Sequence, residues 1–356
     1  MRVLFATNPT SINPYTHTLI NGIRACDDSI ICDVSLYTFW SSTVYEYDII
    51  HVMWPTELLL SYDRKNRKNT IELQQRLIEI KNKKIKIVST CHNLVPHYTS
   101  DQERIDAYDI VYGKSDMILH LGSYSKDLFD KEYPGAINKL IIHHVYDELF
   151  YELSSQKDSR DILGLSHDMK YILCFGAIRS NEERALIRMV AEHYDGNGVV
   201  VICPSYSLVA KRKNLFVVIK SYFQYIFRKY KAKNIIIRKY QIPDSELPYY
   251  FYASDIVLIP RMRILNSGNV SMAMLMGKAV VGPDCGNIGS FLKATGNKTF
   301  SVSDIGSVIA AIDKCFEENT EKQGKSNRDY ALLHMTTRIV AQQLIEYYLF
   351  LTSNGI

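Results

Sequence analysis

Tyr171-Ile172-Leu173-Cys174-Phe175-Gly176-Ala177-Ile178-Arg179 is a short apolar run that ends in a glycine and a cation. Five consecutive apolar residues make the length of a strand buried on both faces. The next segment, residues 182–193, carries apolar residues at helical spacing, and residues 198–203 are again an apolar run. Strand, helix and strand in roughly 30 residues make a βαβ unit. Such units build a parallel sheet with right-handed crossovers, so helices cover both of its faces.

The same alternation continues on either side. Downstream, strands are expected over 235–238, 255–260, 279–282 and 299–302, and helices over 244–253, 268–276, 288–295 and 305–317. Upstream, the polar stretch 151–169 reads as a linker. Before it lies a second series, with strands over 2–6, 32–38, 48–54, 85–91, 117–122 and 139–145 and helices over 15–26, 71–81, 103–114 and 124–132. A closing amphipathic helix over 328–351 has no strand after it. The fold class is therefore α/β, as two doubly wound parallel sheets in tandem. Ligands of such sheets sit beyond the carboxyl ends of the strands, so a cleft between two facing sheets is the expected site.

Composition agrees. The 356 residues include 42 Lys plus Arg and 38 Asp plus Glu, a net charge of +4, too even for a dedicated nucleic-acid binder. Hydrophobic residues make up 47%, enough for a large core without disulfides or a structural metal. The seven cysteines form no CxxC and lie mostly in apolar runs, so buried, reduced thiols and a cytoplasmic location are expected. The N-terminal apolar run is too short for a signal peptide, and no run approaches a membrane span.

Five constellations can carry chemistry. At the end of the strand expected over 171–177, Gly176 lets backbone approach a ligand, and Arg179 offers a fork of donors suited to phosphate. Asn266-Ser267-Gly268-Asn269 opens a helix after the 255–260 strand, where a cap and free amides favour an anion. Together the two describe a diphosphate clamp, although each alone is an ordinary turn or cap. His92-Asn93-Leu94-Val95-Pro96-His97 follows a first-half strand, where a histidine can hydrogen-bond a polar substrate or simply be structural. Asn13-Pro14-Tyr15 reads as a helix start or as a loop reaching the cleft. Basic, aromatic stretches at 64–68, 211–213 and 220–231 read as solvated faces or as contacts to an anionic membrane surface.

With these residues in place, the chain resembles bacterial glycosyltransferases of the two-Rossmann, GT-B type, in particular family-4-like enzymes of capsule, O-antigen and exopolysaccharide assembly. Asn13-Pro14-Tyr15 is similar to the family's early NPY. Asp48-Ile49-Ile50-His51-Val52-Met53-Trp54-Pro55 is similar to its D-hydrophobic-H-x-H-W-P strand, with Met53 where a histidine is usual. His92 to His97 matches its HNxxPH, and Ile142-His143-His144 sits at its I-P-H. Phe175 to Arg179 matches its FGxIR. Ser267-Gly268, followed by Ala273, Gly277, Lys278 and Gly286, matches its SG…A…GK…G block.

The resemblance implies an N-terminal acceptor-side domain over 1–160, completed by a C-terminal helix over 328–356 that crosses back to it, and a donor-binding domain over 161–327. It implies a nucleotide-diphospho-sugar donor, UDP- or GDP-linked, with no essential metal and no other cofactor. Gly176, Arg179, Ser267, Gly268 and Asn269 would hold the diphosphate. His92 would contact the transferred sugar as the catalytic residue, and Asn13, Pro14, Tyr15, Asn93 and His97 would line the cleft. The acceptor would be a saccharide or polyprenyl-linked saccharide at the inner-membrane surface, and nucleic acid is not a partner. Transfer would retain configuration; an inverting enzyme would need a base such as His92 or Asp101.

Two departures from the family pattern stand out. Many relatives place a lysine three residues after the arginine, where this chain has Glu182; Lys278, Arg261 or Arg263 could substitute. The E-x7-E element is replaced by Ile264 and Met272. The alternatives are a nucleotide-sugar 2-epimerase of related fold and a degenerate, transferase-like partner subunit. A dehydrogenase is disfavoured because no GxGxxG follows the first strand of either half.

Overall fold

The computed structural model describes residues 1–9, 13–59, 67–96, 101–150, 154–206, 234–238 and 242–353. The chain forms two compact units: Met1–Glu148 with His334–Ile356, and Leu149–Leu333. The expected divisions lay at 160 and 327; the contacts divide the chain nearer 148 and 333.

The first unit is built on β1 (Arg2–Phe5), β2 (Ile31–Val34), β3 (Ile49–Val52), β4 (Lys86–Cys91), β5 (Met117–His120) and β6 (Ile137–Leu140). All are parallel, in the order β2-β1-β3-β4-β5-β6. Residues of β3 and β5 are buried throughout, as strands covered on both faces must be. Helices α1 (Tyr15–Cys26), α3 (Thr70–Asn82), α4 (Gln102–Lys114) and α5 (Ser123–Glu132) follow β1, β3, β4 and β5. The chain leaves β1 towards β2 on one side and returns to β3 on the other, so the switch point lies between β1 and β3.

Three elements differ from the expected pattern. The strand expected over 32–38 ends at Val34, because the Ser35 side chain accepts from Thr38 N at 2.9 Å and caps a short helix, α2 (Leu36–Trp40). The strand expected over 139–145 is displaced to Ile137–Leu140; residues 141–146 leave the sheet, and Val145 N donates to Met335 O instead. The single closing helix is in fact two, Thr320–His334 and Thr337–Ser353. Asp147 breaks it by accepting from Thr337 N at 2.8 Å and from Thr337 Oγ1 at 2.7 Å, which starts a new helix.

That last helix packs along α1 in the first unit. A Cβ on Gly22 would lie 2.8 Å from Thr337 Cγ2 and 3.1 Å from Ala341 Cβ, so only glycine lets the two helices meet this closely. Farther along, Tyr348 Oη meets His51 Nδ1 at 2.5 Å, and His51 Nε2 meets Thr90 Oγ1 at 2.8 Å. The C-terminal helix is thereby tied to β3 and β4.

The second unit contains α6 (Gln156–Leu163), β7 (Lys170–Leu173), α7 (Asn181–His193), β8 (Val199–Ile202), β9 (Ile235–Ile236), α8 (Leu247–Ala253) and β10 (Ile256–Leu258). It continues with α9 (Gly268–Leu275), β11 (Ala279–Pro283), α10 (Gly286–Ala294), β12 (Lys298–Phe300), α11 (Ser307–Glu317), and α12, the Thr320–His334 helix, with α13 the final Thr337–Ser353 helix of the first unit. The sheet is parallel, in the order β12-β11-β10-β7-β8-β9, and its switch point lies between β7 and β10. The supposed linker contains α6, capped at one end by Ser155 and closed by Gly164. Arg160 fastens it to the sheet, donating to Ala253 O and to Asp255 Oδ2, both at 3.0 Å.

Candidate functional site

In the second unit the two expected phosphate-binding segments lie on the two strands that flank the switch point. Residues 174–180 leave β7 and residues 259–267 leave β10. The bond that joins them runs from Asn269 Nδ2, in the first turn of α9, to Phe175 O at 2.7 Å. Gly176 follows with a φ of 92°, and a Cβ there would stand 3.2 Å from Asn269 Nδ2. Both the left-handed backbone and the close approach call for glycine. Ser267 is the N-cap of α9 but makes no side-chain capping bond. Asn266 instead accepts from Asn287 Nδ2 at 2.9 Å, which pins the loop from the other side. Gly176, Arg179, Ser267, Gly268 and Asn269 thus belong to one pair of adjacent loops, with the Asn269 side chain serving the loop junction. Arg179 is exposed.

Glu183 completes this geometry. It sits in the first turn of α7 and is 1% exposed. Its Oε2 accepts from Arg179 N at 2.9 Å, and its own amide donates to the Ser180 cap. Its Oε1 pairs with Arg261 Nε at 3.2 Å, while Arg261 Nη2 donates to Ala177 O at 2.9 Å. Arg261 therefore bridges the two loops. Sequence reading saw Arg261 only as one of three spare cations and missed Glu183. The serine-then-acid spacing of a capping motif at 180 and 183 was the available signal. Lys278 is not a spare cation: Nζ is spent on Tyr252 O and Ser254 O, both at 2.9 Å, and burial lowers its pKa to about 8.

In the first unit, the loops after β3 and β4 bring together a cluster of rings. Trp54 stacks on His92, with centroids 5.0 Å apart and planes at 18°. Tyr15 meets His92 edge-on at 4.7 Å, and also touches His143 at 4.8 Å and His144 at 4.5 Å. Burial lowers the pKa of His92 to about 3 and that of His143 to about 4, and it holds His144 well below the usual histidine range. His144 Nε2 bonds Thr18 Oγ1 at 2.7 Å, whereas its buried Nδ1 has no partner among the described residues.

Tyr15 was expected to line a cleft. It is 1% exposed, with its ring packed among three histidines. Pro14, not Asn13, is the N-cap of α1, and Asn13 Oδ1 accepts from Tyr15 N at 3.1 Å. Asn93 contributes its backbone carbonyl to Tyr112 Oη at 2.7 Å. His97 lies outside the described residues, as do 64–66, 211–213 and 220–231 of the basic stretches. Asp101, the acidic alternative, pairs with Arg67 at 3.5 Å. At the β1 end Glu57 accepts from Thr7 Oγ1 and from Asn8 N, a carboxylate that no motif marked.

Among the described residues, no group of three or more His, Cys, Asp or Glu side chains is placed to hold a metal ion, and all seven cysteines are free. No described helix is long and apolar enough to cross a membrane.

No family model and no curated protein matches the sequence. Solved structures do. HepE from Anabaena, in complex with UDP-glucose, has a TM-score of 0.68 at 16% identity over 98% of this chain and 99% of that one. Sucrose-phosphate synthase from Thermosynechococcus elongatus has a TM-score of 0.65 at 13% identity, covering 98% and 82%. The UDP-GlcNAc 2-epimerase from Neisseria meningitidis has a TM-score of 0.60 at 13% identity, covering 98% and 100%. At these identities the likeness establishes the fold: the chain has the GT-B architecture of two parallel-sheet units, with its last helix returned to the first.

Proposed function

We propose that this protein is a nucleotide-sugar-dependent glycosyltransferase, of the hexosyl-transferring kind, and that the switch point of its second sheet binds the donor's diphosphate. The observation that carries the reading is the junction of Asn269 with Phe175 beside Gly176. It sets Arg179 and the uncapped start of α9 on neighbouring loops where this fold class takes its ligands. Helix amides and guanidinium groups both favour a phosphate. Their charge supports transfer without a metal, by stabilising the leaving diphosphate.

In the first unit we assign His92 to the transferred sugar, with Asn13, Asn93 and His97 towards the acceptor. A histidine whose pKa is lowered to about 3 is a poor base near neutrality. It can still orient a sugar hydroxyl, which supports a retaining reaction, in which no enzyme side chain has to deprotonate the acceptor hydroxyl. The acceptor we infer is a saccharide, free or polyprenyl-linked, used in surface polysaccharide assembly such as capsule or O-antigen, at the cytoplasmic face of the membrane.

The test is to incubate the protein with UDP-, GDP- and ADP-hexoses, with saccharide or polyprenyl-diphosphate-saccharide acceptors, in the presence and absence of EDTA. Nucleotide release coupled to a new glycosidic bond, insensitive to EDTA and lost in His92→Ala, is the expected result. The solved structures of this fold include a 2-epimerase. Conversion of a UDP-sugar to its 2-epimer without transfer would therefore replace this reading. Failure to bind any nucleotide would leave a degenerate partner subunit.

A further inference from the structure

We propose that Arg261, held in place by Glu183, is the second cation of the donor site and makes the protein prefer a nucleoside diphosphate to a monophosphate. This deepens the donor-binding reading and rests on it. A diphosphate carries more charge than one arginine balances, and Glu182, beside the motif, adds an exposed negative charge rather than a cation. Lys278 is committed to two backbone carbonyls. Arg261 sits at the switch point itself. Nε is held by Glu183 at 3.2 Å and Nη2 by Ala177 O at 2.9 Å, and Nη1 has no partner among the described residues.

Glu183 holds the backbone of Arg179 and the guanidinium of Arg261 at once. One carboxylate oxygen takes Arg179 N at 2.9 Å, and the other takes the Arg261 guanidinium. A carboxylate this buried requires a counter-charge. The start of α7 and Arg261 both supply it. The result is a planar donor fork immobilised between two loops, one edge left over, on the side of the sheet where the fold takes ligands. An anchored guanidinium loses little freedom on meeting a phosphate.

The experiment measures binding of UDP, ADP and GDP, and of UMP, AMP and GMP, by calorimetry. Wild type, Arg179→Ala, Arg261→Ala and the double variant Arg261→Ala/Glu183→Gln are compared. The double variant removes the uncompensated buried carboxylate while keeping an acceptor for Arg179 N, and melting curves report its folding. Arg261→Ala should weaken the diphosphate on the order of tenfold or more, as expected for a charge-assisted bond, and leave the monophosphate unchanged. The loss should persist in the double variant. Wild-type affinity in the double variant would make Arg261 a mere counter-ion of Glu183 and overturn the proposal. Diphosphate binding lost in Arg179→Ala but kept in Arg261→Ala would overturn it alone. No nucleotide binding by the wild type would overturn it together with the donor reading.

Discussion

His51 makes the first unit acid-sensitive by a calculable amount. It is fully buried between Tyr348 Oη and Thr90 Oγ1, and burial lowers its pKa to about 3. In the unfolded chain it would titrate near the ordinary value of about 6.5. Between those values the unfolded state binds a proton that the folded state refuses. Stability is therefore full above pH 6.5 and is lost as pH falls, by about 1.4 kcal/mol per unit for this one group. From pH 6.5 to 5.0 that is about 2 kcal/mol. His92, His120 and His143 are also lowered, so the wild type should lose more than this in total. Replacing His51 by glutamine isolates its share. Both tryptophans of the chain, Trp40 and Trp54, belong to the first unit, so their fluorescence during urea unfolding reports that unit. His51→Gln should start less stable at pH 7 but lose about 2 kcal/mol less than wild type between pH 6.5 and 5.0. Equal losses in the two proteins would show that His51 is not held neutral by burial, and the linkage argument would fail.

Three further outcomes follow from the packing. Gly22→Val should push α13 off α1, through Thr337 and Ala341, and cost about 1–3 kcal/mol in the same fluorescence assay; an unchanged midpoint would deny the close seating of the C-terminal helix. Trp54→Ala uncovers one face of His92, so the His92 C2–H resonance should titrate at a pKa well above about 3, and a proton NMR titration that leaves it unmoved would assign the shift to other neighbours. Arg160→Met leaves the Asp255 carboxylate without its cation and should cost about 3–5 kcal/mol, followed by circular dichroism. Arg160→Met/Asp255→Asn should recover much of the loss, and a double variant as unstable as the single one would mean that the guanidinium's packing, not its charge, matters.

The architecture was legible because buried parallel strands are short apolar runs and crossover helices keep their own period. Gly176 and Arg179 were legible for a related reason: a glycine and a cation at the end of such a strand sit where the fold takes ligands. Other features depend on partners distant in sequence. Arg261 and Glu183 are 78 residues apart, and only the sheet order brings their loops together. Tyr15 looked like a cleft residue because it follows Asn13-Pro14, yet His143 and His144 leave the sheet to enclose it. The break between α12 and α13 is set by Asp147, whose carboxylate reaches Thr337 from 190 residues away. Local pattern could not show any of these.

The central claim is that the switch point of the second sheet binds a nucleotide diphosphate. Calorimetric titration of wild type and Arg179→Ala with UDP, GDP and ADP in EDTA tests it most directly. The account predicts that one nucleotide binds the wild type without metal, and that Arg179→Ala loses that binding while its melting temperature barely changes. Equal affinity in the two proteins, or no binding by either, would contradict it.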